Sequence, residues 1–444
     1  MSRGGPRTTV DAARLAAYDV LVAVREDDAY ANLVLPRLLR ERSISGRDAA
    51  FTTELVGGTL RGLGTYDALL DHLTGRPPDA AVRDALRLGA HQLLAMRVPD
   101  HAAVGSTVEL VRRRVGHKPA GFVNAVLRRL ATRSLTDWLD ALDAPLDVRT
   151  SHPSWVVVAL ARALGRPEEL EALLAADNER PTVTLVARPG LATVAELGGT
   201  PLPTSPLAVT MDGGDPGAVP AVREGRAGVQ DAGSQLVALA LARAAVAGRD
   251  ERWLDVCAGP GGKAALLAAL AEQRGARLLA HERAPHRAVL VQQALRATVG
   301  DVVVGDGTRP CWAPGSFDRV LVDAPCSGLG ALRRRPESRW RRVPADLEAL
   351  VPLQRALLDA ALDGVRPGGV VVYATCSPVV EETAGVVTEV LAGRDDVRLE
   401  EAAPLLPEGS DAASAHLPGA VQLWPHRHGT DAMFLAVLRR TGPA

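Results

Sequence analysis

Net charge is the first thing this chain lacks: 51 Lys and Arg stand against 52 Asp and Glu, a formal balance of −1. A bulk polycation is therefore excluded, and any contact with nucleic acid has to come from local basic patches. Cysteine is scarce as well. The four residues Cys257, Cys311, Cys326 and Cys376 lie far apart with no Cys-x-x-Cys pair, which argues against a disulfide framework and against a zinc site, and no metal is expected. Each thiol is therefore weighed by itself. Also missing are an uninterrupted apolar run of membrane-spanning length and an export signal. Met1 to Val10 carries two arginines and a proline but no apolar stretch, so a cytoplasmic location is the expectation. There is no internal repeat.

What is present is length and apolar content: 444 residues, 47% of them hydrophobic, suffice for two or three domains with buried cores. From Thr9 to about Arg133, apolar residues recur at helical spacing, as in Ala12, Leu15, Ala16, Val20, Leu21 and Val24. Gly46, Gly75 to Pro78, Pro99 and Gly116 to Pro119 cut that stretch into several helices, so residues 1–135 read as an all-α domain. Residues 136–228 differ. A short helix after Ser151-His152-Pro153 and an alternating β-branched run from Thr182 to Ala187 precede a region of prolines and glycines, which reads as a small α/β connector.

Residues 229–444 alternate apolar strands with helical segments. The strands are predicted at Trp253 to Cys257, Leu278 to His281, Val302 to Val304, Arg319 to Val322, Val370 to Tyr373 and Met433 to Leu438. That alternation indicates a parallel sheet with helices on both faces, whose ligands sit at the carboxyl ends of the strands. The first strand runs into Cys257-Ala258-Gly259-Pro260-Gly261-Gly262-Lys263 and then a helix. A P-loop is disfavoured because Cys257 replaces its first glycine and Ala264 its hydroxyl, and a dinucleotide fingerprint lacks its third glycine. A nucleoside cofactor and a plain tight turn both fit the loop taken alone. Glu282 closing the second strand, and Gly305-Asp306-Gly307 after the third, favour the nucleoside: one acid suits ribose hydroxyls, the other an adenine amino group.

The fourth strand ends in Asp323-Ala324-Pro325-Cys326-Ser327-Gly328 and the fifth in Ala374-Thr375-Cys376-Ser377-Pro378. If those strands are parallel neighbours, both thiols reach the rim that holds the cofactor loop. Amino-group methyltransferases carry an aromatic at the fourth-strand position, where it stacks on a base; a cysteine there asks for other chemistry. Carbon 5 of cytosine is too weak a nucleophile to attack a methyl sulfonium unaided. A thiolate adding at carbon 6 pushes electron density onto carbon 5, which then takes the methyl. An unperturbed thiol, with a pKa of about 8.5, is mostly protonated at neutral pH, so local electrostatics must activate it. Asp323 is placed to hydrogen-bond the ring nitrogen or exocyclic amine. Cys257, in the turn, and Cys311, beside Trp312, read as structural. Beyond the fourth strand, Arg333, Arg334, Arg335, Arg339, Arg341 and Arg342 surround Trp340. A basic loop with an aromatic suits phosphate neutralisation and base stacking, although a solvated arginine face would look the same. Arg112 to Arg114, Lys118, Arg128 and Arg129 form a second patch.

These motifs resemble the RNA 5-methylcytosine methyltransferase family over nearly the whole chain, and within it the bacterial branch that acts on 16S ribosomal RNA. Val229-Gln230-Asp231-Ala232-Gly233-Ser234 and Pro425-His426-Arg427-His428-Gly429-Thr430-Asp431 add to the likeness. Pro99-Asp100-His101-Ala102-Ala103-Val104 and Gly121 to Arg129 look like a NusB-type RNA-binding domain. The resemblance implies a Rossmann-like class I methyltransferase domain with a mostly parallel seven-stranded sheet, S-adenosylmethionine as cofactor and a single-stranded or flipped cytosine in 16S ribosomal RNA as partner. It further implies Cys376 as nucleophile, Cys326 as the thiol that assists release, and cofactor contacts from residues 257–263, Glu282, Asp306 and Asp323. Gly259 stands where the family often has Ala, Ala264 where it often has Thr, Glu282 where it often has Asp, and Leu329 where Thr is frequent. A transfer-RNA cytosine methyltransferase and a catalytically silent RNA-binding or antitermination-like protein are the alternatives. Loss of Cys376 or of the glycine loop would mark the silent protein, and neither is lost.

Overall fold

Asp11 opens the first helix by accepting the Arg14 backbone N–H on its side chain at 2.8 Å, which satisfies one of the donors a helix start leaves unpaired. The computed structural model describes residues 11–407 and 411–442; Met1 to Val10, read above for an export signal, lies outside them. The described residues group into two compact units. The first comprises residues up to Val157 together with Asn178–Arg180 and Leu332–Arg341; the second comprises Val158–Asp177, Pro181–Ala331 and the residues from Arg342 on. None of the described helices is long and apolar enough to cross a membrane.

The first unit is helical, with helices Ala12–Glu26, Ala31–Glu41, Gly46–Arg61, Leu63–Thr74, Ala80–Leu94, Asp100–Arg114 and Ala120–Leu130. Their apolar faces meet in one core that buries Val20, Leu55, Leu69, Leu86 and Leu127. That core does not stop near residue 135. Trp138, on helix Leu135–Ala141, enters it and donates its indole N–H to the Leu130 carbonyl at 2.9 Å, so the segment read as the start of the connector extends the helical unit instead. Leu332–Arg341 also belongs here: the Glu337 carboxylate accepts the Ala31 N–H at 2.9 Å in a buried position.

The second unit holds two sheets. A four-stranded antiparallel sheet, in the order β2-β3-β1-β4, is built from β1 (Val183–Ala187), β2 (Thr200–Pro201), β3 (Ala208–Met211) and β4 (Ala227–Val229). Its last strand leads straight into helix Ala232–Arg243, where the fully buried Gln235 accepts the hydroxyl of Ser205, a connector residue, at 2.7 Å. This is why the connector does not separate as a body of its own.

The larger sheet comprises β5 (Arg252–Asp255), β6 (Arg277–Glu282), β7 (Gly300–Val304), β8 (Phe317–Asp323), β9 (Val365–Thr375), β10 (Val397–Glu400), β11 (Val421–Gln422) and β12 (Phe434–Arg440). Its order is β10-β12-β9-β8-β5-β6-β7, with β11 paired beside β12. The five strands β5 to β9 run parallel, β12 pairs antiparallel with β9, and β10 pairs antiparallel with β12. The expected seven strands are thus the main path, and the short β11 is an eighth. Helices Ala232–Arg243 and Gly262–Glu272 cover one face, and Asp346–Gly364 and Ala384–Ala392 cover the other. Burial on both faces explains why the centre of β8, Val320-Leu321-Val322, is apolar without alternation. The strand order reverses at β5, so the crevice beyond its carboxyl end is the expected ligand position.

The opposite end of the sheet is fastened by Asp318, which is fully buried. Its carboxylate accepts the Glu251 and Arg252 backbone N–H groups at 2.8 Å each and the guanidinium groups of Arg366 at 2.6 Å and Arg249 at 3.0 Å. Burial alone would raise its pKa; Arg366, the two N–H groups and Arg249 outweigh burial and hold the carboxyl below its ordinary value. A depressed carboxyl contributes stability above its unfolded pKa and loses it as pH falls. Asp318→Ala is therefore expected to lower unfolding stability by about 3 kcal/mol at pH 7. Urea titrations should show the gap from wild type shrinking from about pH 4 downward; a gap that stays constant to lower pH would rule out the carboxylate as its source.

Candidate active site

At the carboxyl end of β5, Asp255 turns the chain by accepting the Cys257 N–H on Oδ1 at 3.2 Å, while its buried Oδ2 meets no donor. Burial first, and the nearby Asp323 second, push this carboxyl up to about 8. At the end of β6, Glu282 is buried and accepts two backbone donors, the Gly259 N–H on Oε2 at 3.0 Å and the Ala284 N–H on Oε1 at 2.9 Å. Asp306, after β7, is exposed and closes a turn by accepting the Thr308 N–H at 3.0 Å and hydroxyl at 2.8 Å, which holds its pKa below the ordinary value. The loop 257–263 and these acids therefore line three successive strand ends. Burial pushes the Cys257 thiol well up, in keeping with a neutral packing residue. Cys311, by contrast, is exposed rather than packed.

Two of the departures from the family pattern explain each other here. A Cβ on Gly259 would lie 2.1 Å from Glu282 Oε2 and within 3 Å of the Arg287 guanidinium. The longer acid fills the space that an alanine methyl needs, so glycine at 259 and glutamate at 282 form a matched pair.

The strands β8 and β9 are parallel neighbours, with Asp323 opposite Ala374 and the Ala324 N–H bonded to the Ala374 carbonyl at 2.9 Å. Their ends bring Cys326 and Cys376 together, Sγ to Sγ at 3.5 Å. The two turns are also tied through the backbone: the Gly330 N–H donates to the Cys376 carbonyl at 2.8 Å, and a Cβ on Gly330 would strike the Ala432 carbonyl at 2.1 Å, so only glycine permits this approach. Lys263 reaches across from the cofactor loop to Asp323 Oδ2 at 2.8 Å. Burial alone would lower the Lys263 ammonium pKa; the charge and hydrogen bond of Asp323, followed by the charge of Cys376, outweigh it and raise that pKa. The Cys326 thiol is pushed well up, first by its hydrogen bond to Cys376 and then by burial.

Lys263, Asp323, Cys326 and Cys376 thus converge, as the strand ends suggested. The arginine segment is placed differently, within the helical unit. Arg339 is fully buried and donates to the Ser151 carbonyl at 3.0 Å and to Asn178 Oδ1 at 2.8 Å, so its reading as a phosphate contact is corrected: it is an internal tie. Arg333 is buried as well. Trp340 is half-buried and lies against Gly64, where a Cβ would meet its ring at 2.3 Å. Arg334 is half-buried, and Arg335 is exposed with its guanidinium 5.1 Å from the Tyr30 ring centre. One residue that sequence reasoning missed is Glu382, fully buried, whose carboxylate bonds the serines that follow both cysteines. The repeated Cys-Ser dipeptide was its only signal.

A family model described as 16S rRNA methyltransferase RsmB/F matches residues 244–439, and a NusB family model matches residues 11–132. Rv1407 of Mycobacterium tuberculosis strain H37Rv, provisionally named a methyltransferase, is 53% identical over 455 residues, covering 99% of each chain. The ribosomal RNA small subunit methyltransferase B of Salmonella typhi is 35% identical over 404 residues, covering 87% of this chain and 91% of its own. The crystal structure of PH0851 shares the fold, with a TM-score of 0.79 at 21% identity over 99% of this chain and all of that one. NSun6 from Pyrococcus horikoshii, solved with SFG, has a TM-score of 0.55 at 18% identity over 66% of this chain and 99% of its own.

The pairing of Gly259 with Glu282 makes a double-mutant prediction. Gly259→Ala alone should weaken S-adenosylmethionine binding roughly tenfold by overpacking the loop, and Glu282→Asp added to it should restore most of the loss. Calorimetric titration of both variants checks this, and additive losses would show that the two positions are independent.

Proposed function

We propose, since this chain belongs to the 16S rRNA methyltransferase RsmB/F family, that it methylates carbon 5 of a cytosine in 16S ribosomal RNA through a transient bond between Cys376 and carbon 6 of the base. At the coarser level the assignment is direct: the chain is an S-adenosylmethionine-dependent ribosomal RNA methyltransferase with a NusB-like helical region. The observation that carries the finer reading is the pair of sulfurs 3.5 Å apart beside the Asp323 and Lys263 pair.

S-adenosylmethionine supplies an electrophilic methyl group on a sulfonium. The residues present suit it: the backbone of 257–263 crosses the strand ends, Glu282 and Asp306 provide carboxylates for nucleoside polar groups, and Asp255 keeps a buried oxygen without a donor for a cationic group. On the substrate side, the Cys376 thiolate forms a bond to carbon 6 and the ring's electron pair moves toward carbon 5. Asp323, oriented by Lys263, accepts a hydrogen bond from the exocyclic amine and favours the protonated, electron-poor ring. Once carbon 5 holds the methyl, its proton passes to solvent water, the carbon 5–carbon 6 double bond re-forms, the carbon–sulfur bond breaks and that bond's pair returns to Cys376. Cys326, protonated and in hydrogen-bond contact with Cys376, assists that release. A base inside a helix cannot reach the rim, so the cytosine is single-stranded or flipped. Arg334, Arg335 and the exposed Arg112, Arg113, Arg114, Lys118, Arg128 and Arg129 are the phosphate contacts, and the enzyme works in the cytoplasm.

Bisulfite mapping of ribosomal RNA with and without the protein tests the substrate and the carbon together. In transfer assays with labelled cofactor, Cys376→Ser should lose roughly a thousandfold or more in turnover, while Cys326→Ala should accumulate a covalent RNA adduct. An adduct seen only when Cys376 is replaced would exchange the two roles. Asp255, raised to about 8, is mostly protonated at neutral pH and ionises against a bound cation. S-adenosylmethionine affinity should therefore rise with pH toward 8, by at most about tenfold per unit, and Asp255→Asn should flatten that rise. An unchanged slope in the variant would remove Asp255 from the cofactor contact.

A further inference from the structure

The Glu382 carboxylate is fully buried, and no ion pair neutralises it among the described residues. Such a charge is costly unless donors surround it. Four do: Oε1 accepts the Ser327 N–H at 2.7 Å and the Gln354 amide at 3.0 Å, and Oε2 accepts the Ser327 and Ser377 hydroxyls at 2.6 Å each. The two hydroxyls also touch each other at 2.9 Å. Glu382 itself is held by its backbone, the carbonyl accepting the Tyr373 hydroxyl at 2.7 Å and the N–H donating to the Val379 carbonyl at 3.0 Å.

Ser327 follows Cys326 and Ser377 follows Cys376, so one carboxylate grips both cysteine turns. The grip matters unequally. Cys376 directly follows β9, whose Thr375 is still in ladder register with Phe434. Cys326 stands two residues beyond the last ladder bond of its turn, made by Ala324, and Gln354 steadies the intervening Pro325 carbonyl at 2.9 Å.

We propose that Glu382 is a positioning residue that sets the spacing of the two sulfurs by holding the Cys326 turn against the Cys376 turn. This inference rests on the covalent reading above and deepens it: without the carboxylate, Cys376 keeps its place and still forms the bond to carbon 6, while Cys326 drifts and release slows. Glu382→Gln keeps one oxygen acceptor, and its amide donates to the hydroxyls, which rotate to accept. The clamp survives in that variant and is lost in Glu382→Ala.

The spacing can be read without RNA or cofactor. Diamide, a diazene oxidant, takes two electrons and two protons from a pair of thiols that can meet, leaving a disulfide and the hydrazine. With the full-length protein, peptide mapping of the Cys326–Cys376 disulfide over time is expected to show rapid closure in wild type and in Glu382→Gln, and closure slowed at least tenfold in Glu382→Ala. In methyl transfer, Glu382→Ala should keep its KM values within about twofold, lose kcat and accumulate covalent RNA. Should that variant fail to fold, Ser327→Ala removes the hydroxyl tie of the Cys326 turn to the carboxylate and should slow closure severalfold. Closure at the wild-type rate in Glu382→Ala or, in its stead, Ser327→Ala overturns the clamp. If closure slows as expected but the wild type methylates no RNA, the clamp stands and the substrate reading falls.

Discussion

The chemistry proposed for this protein depends on one pairing: β8 and β9 lie side by side and in parallel, with Asp323 opposite Ala374. Each strand hands its carboxyl end to a turn that carries a cysteine, and because the strands are neighbours the sulfurs meet. In a fully buried sheet a shift of one residue would turn side chains to the opposite face, so the packing that stabilises the sheet also fixes the sulfurs. The helices on both faces therefore hold the register on which the site is built.

The two ends of the same sheet treat buried charge in opposite ways. At the amino ends of β5, β8 and β9, Asp318 meets four donors, and every element there is tied down. At the carboxyl ends, Asp255 keeps an oxygen without a donor and its pKa is pushed to about 8, while Lys263 and Asp323 share a pair beside two thiols. Unsatisfied buried groups are costly and concentrate where a ligand completes them. The asymmetry separates the end of the sheet that serves stability from the end proposed to serve catalysis.

Much of this was legible in the sequence, and what was not has physical reasons. Helical periodicity marked the first unit, and alternating apolar runs marked the parallel strands, because burial of one stripe or of two faces leaves a direct trace in residue order. Glycine turns and strand-end acids marked the proposed cofactor loop for the same local reason. Side-chain partners across the fold leave no such trace. Arg339 read as a solvated phosphate contact, since an arginine in an arginine-rich loop carries no sign that Ser151 and Asn178 enclose it. Trp138 carried the helical core past residue 135 by one aromatic side chain, which periodicity does not register. Glu382 lay in an ordinary acidic pair, and only the fold reveals that it faces Ser327 and Ser377. The exchange of bulk between Gly259 and Glu282 was visible as two unrelated departures until their 2.1 Å conflict joined them.

The most direct test of the central claim uses RNA in which cytosine is replaced by 5-fluorocytosine. Fluorine at carbon 5 cannot leave as a proton does, so after methyl transfer the elimination stalls with the enzyme still attached. Incubated with S-adenosylmethionine and digested, the complex should yield a nucleotide-bearing peptide whose mass and fragmentation place the modification on Cys376. Modification of Cys326 in its place, or methylation of normal RNA with no trapped species, would contradict the account.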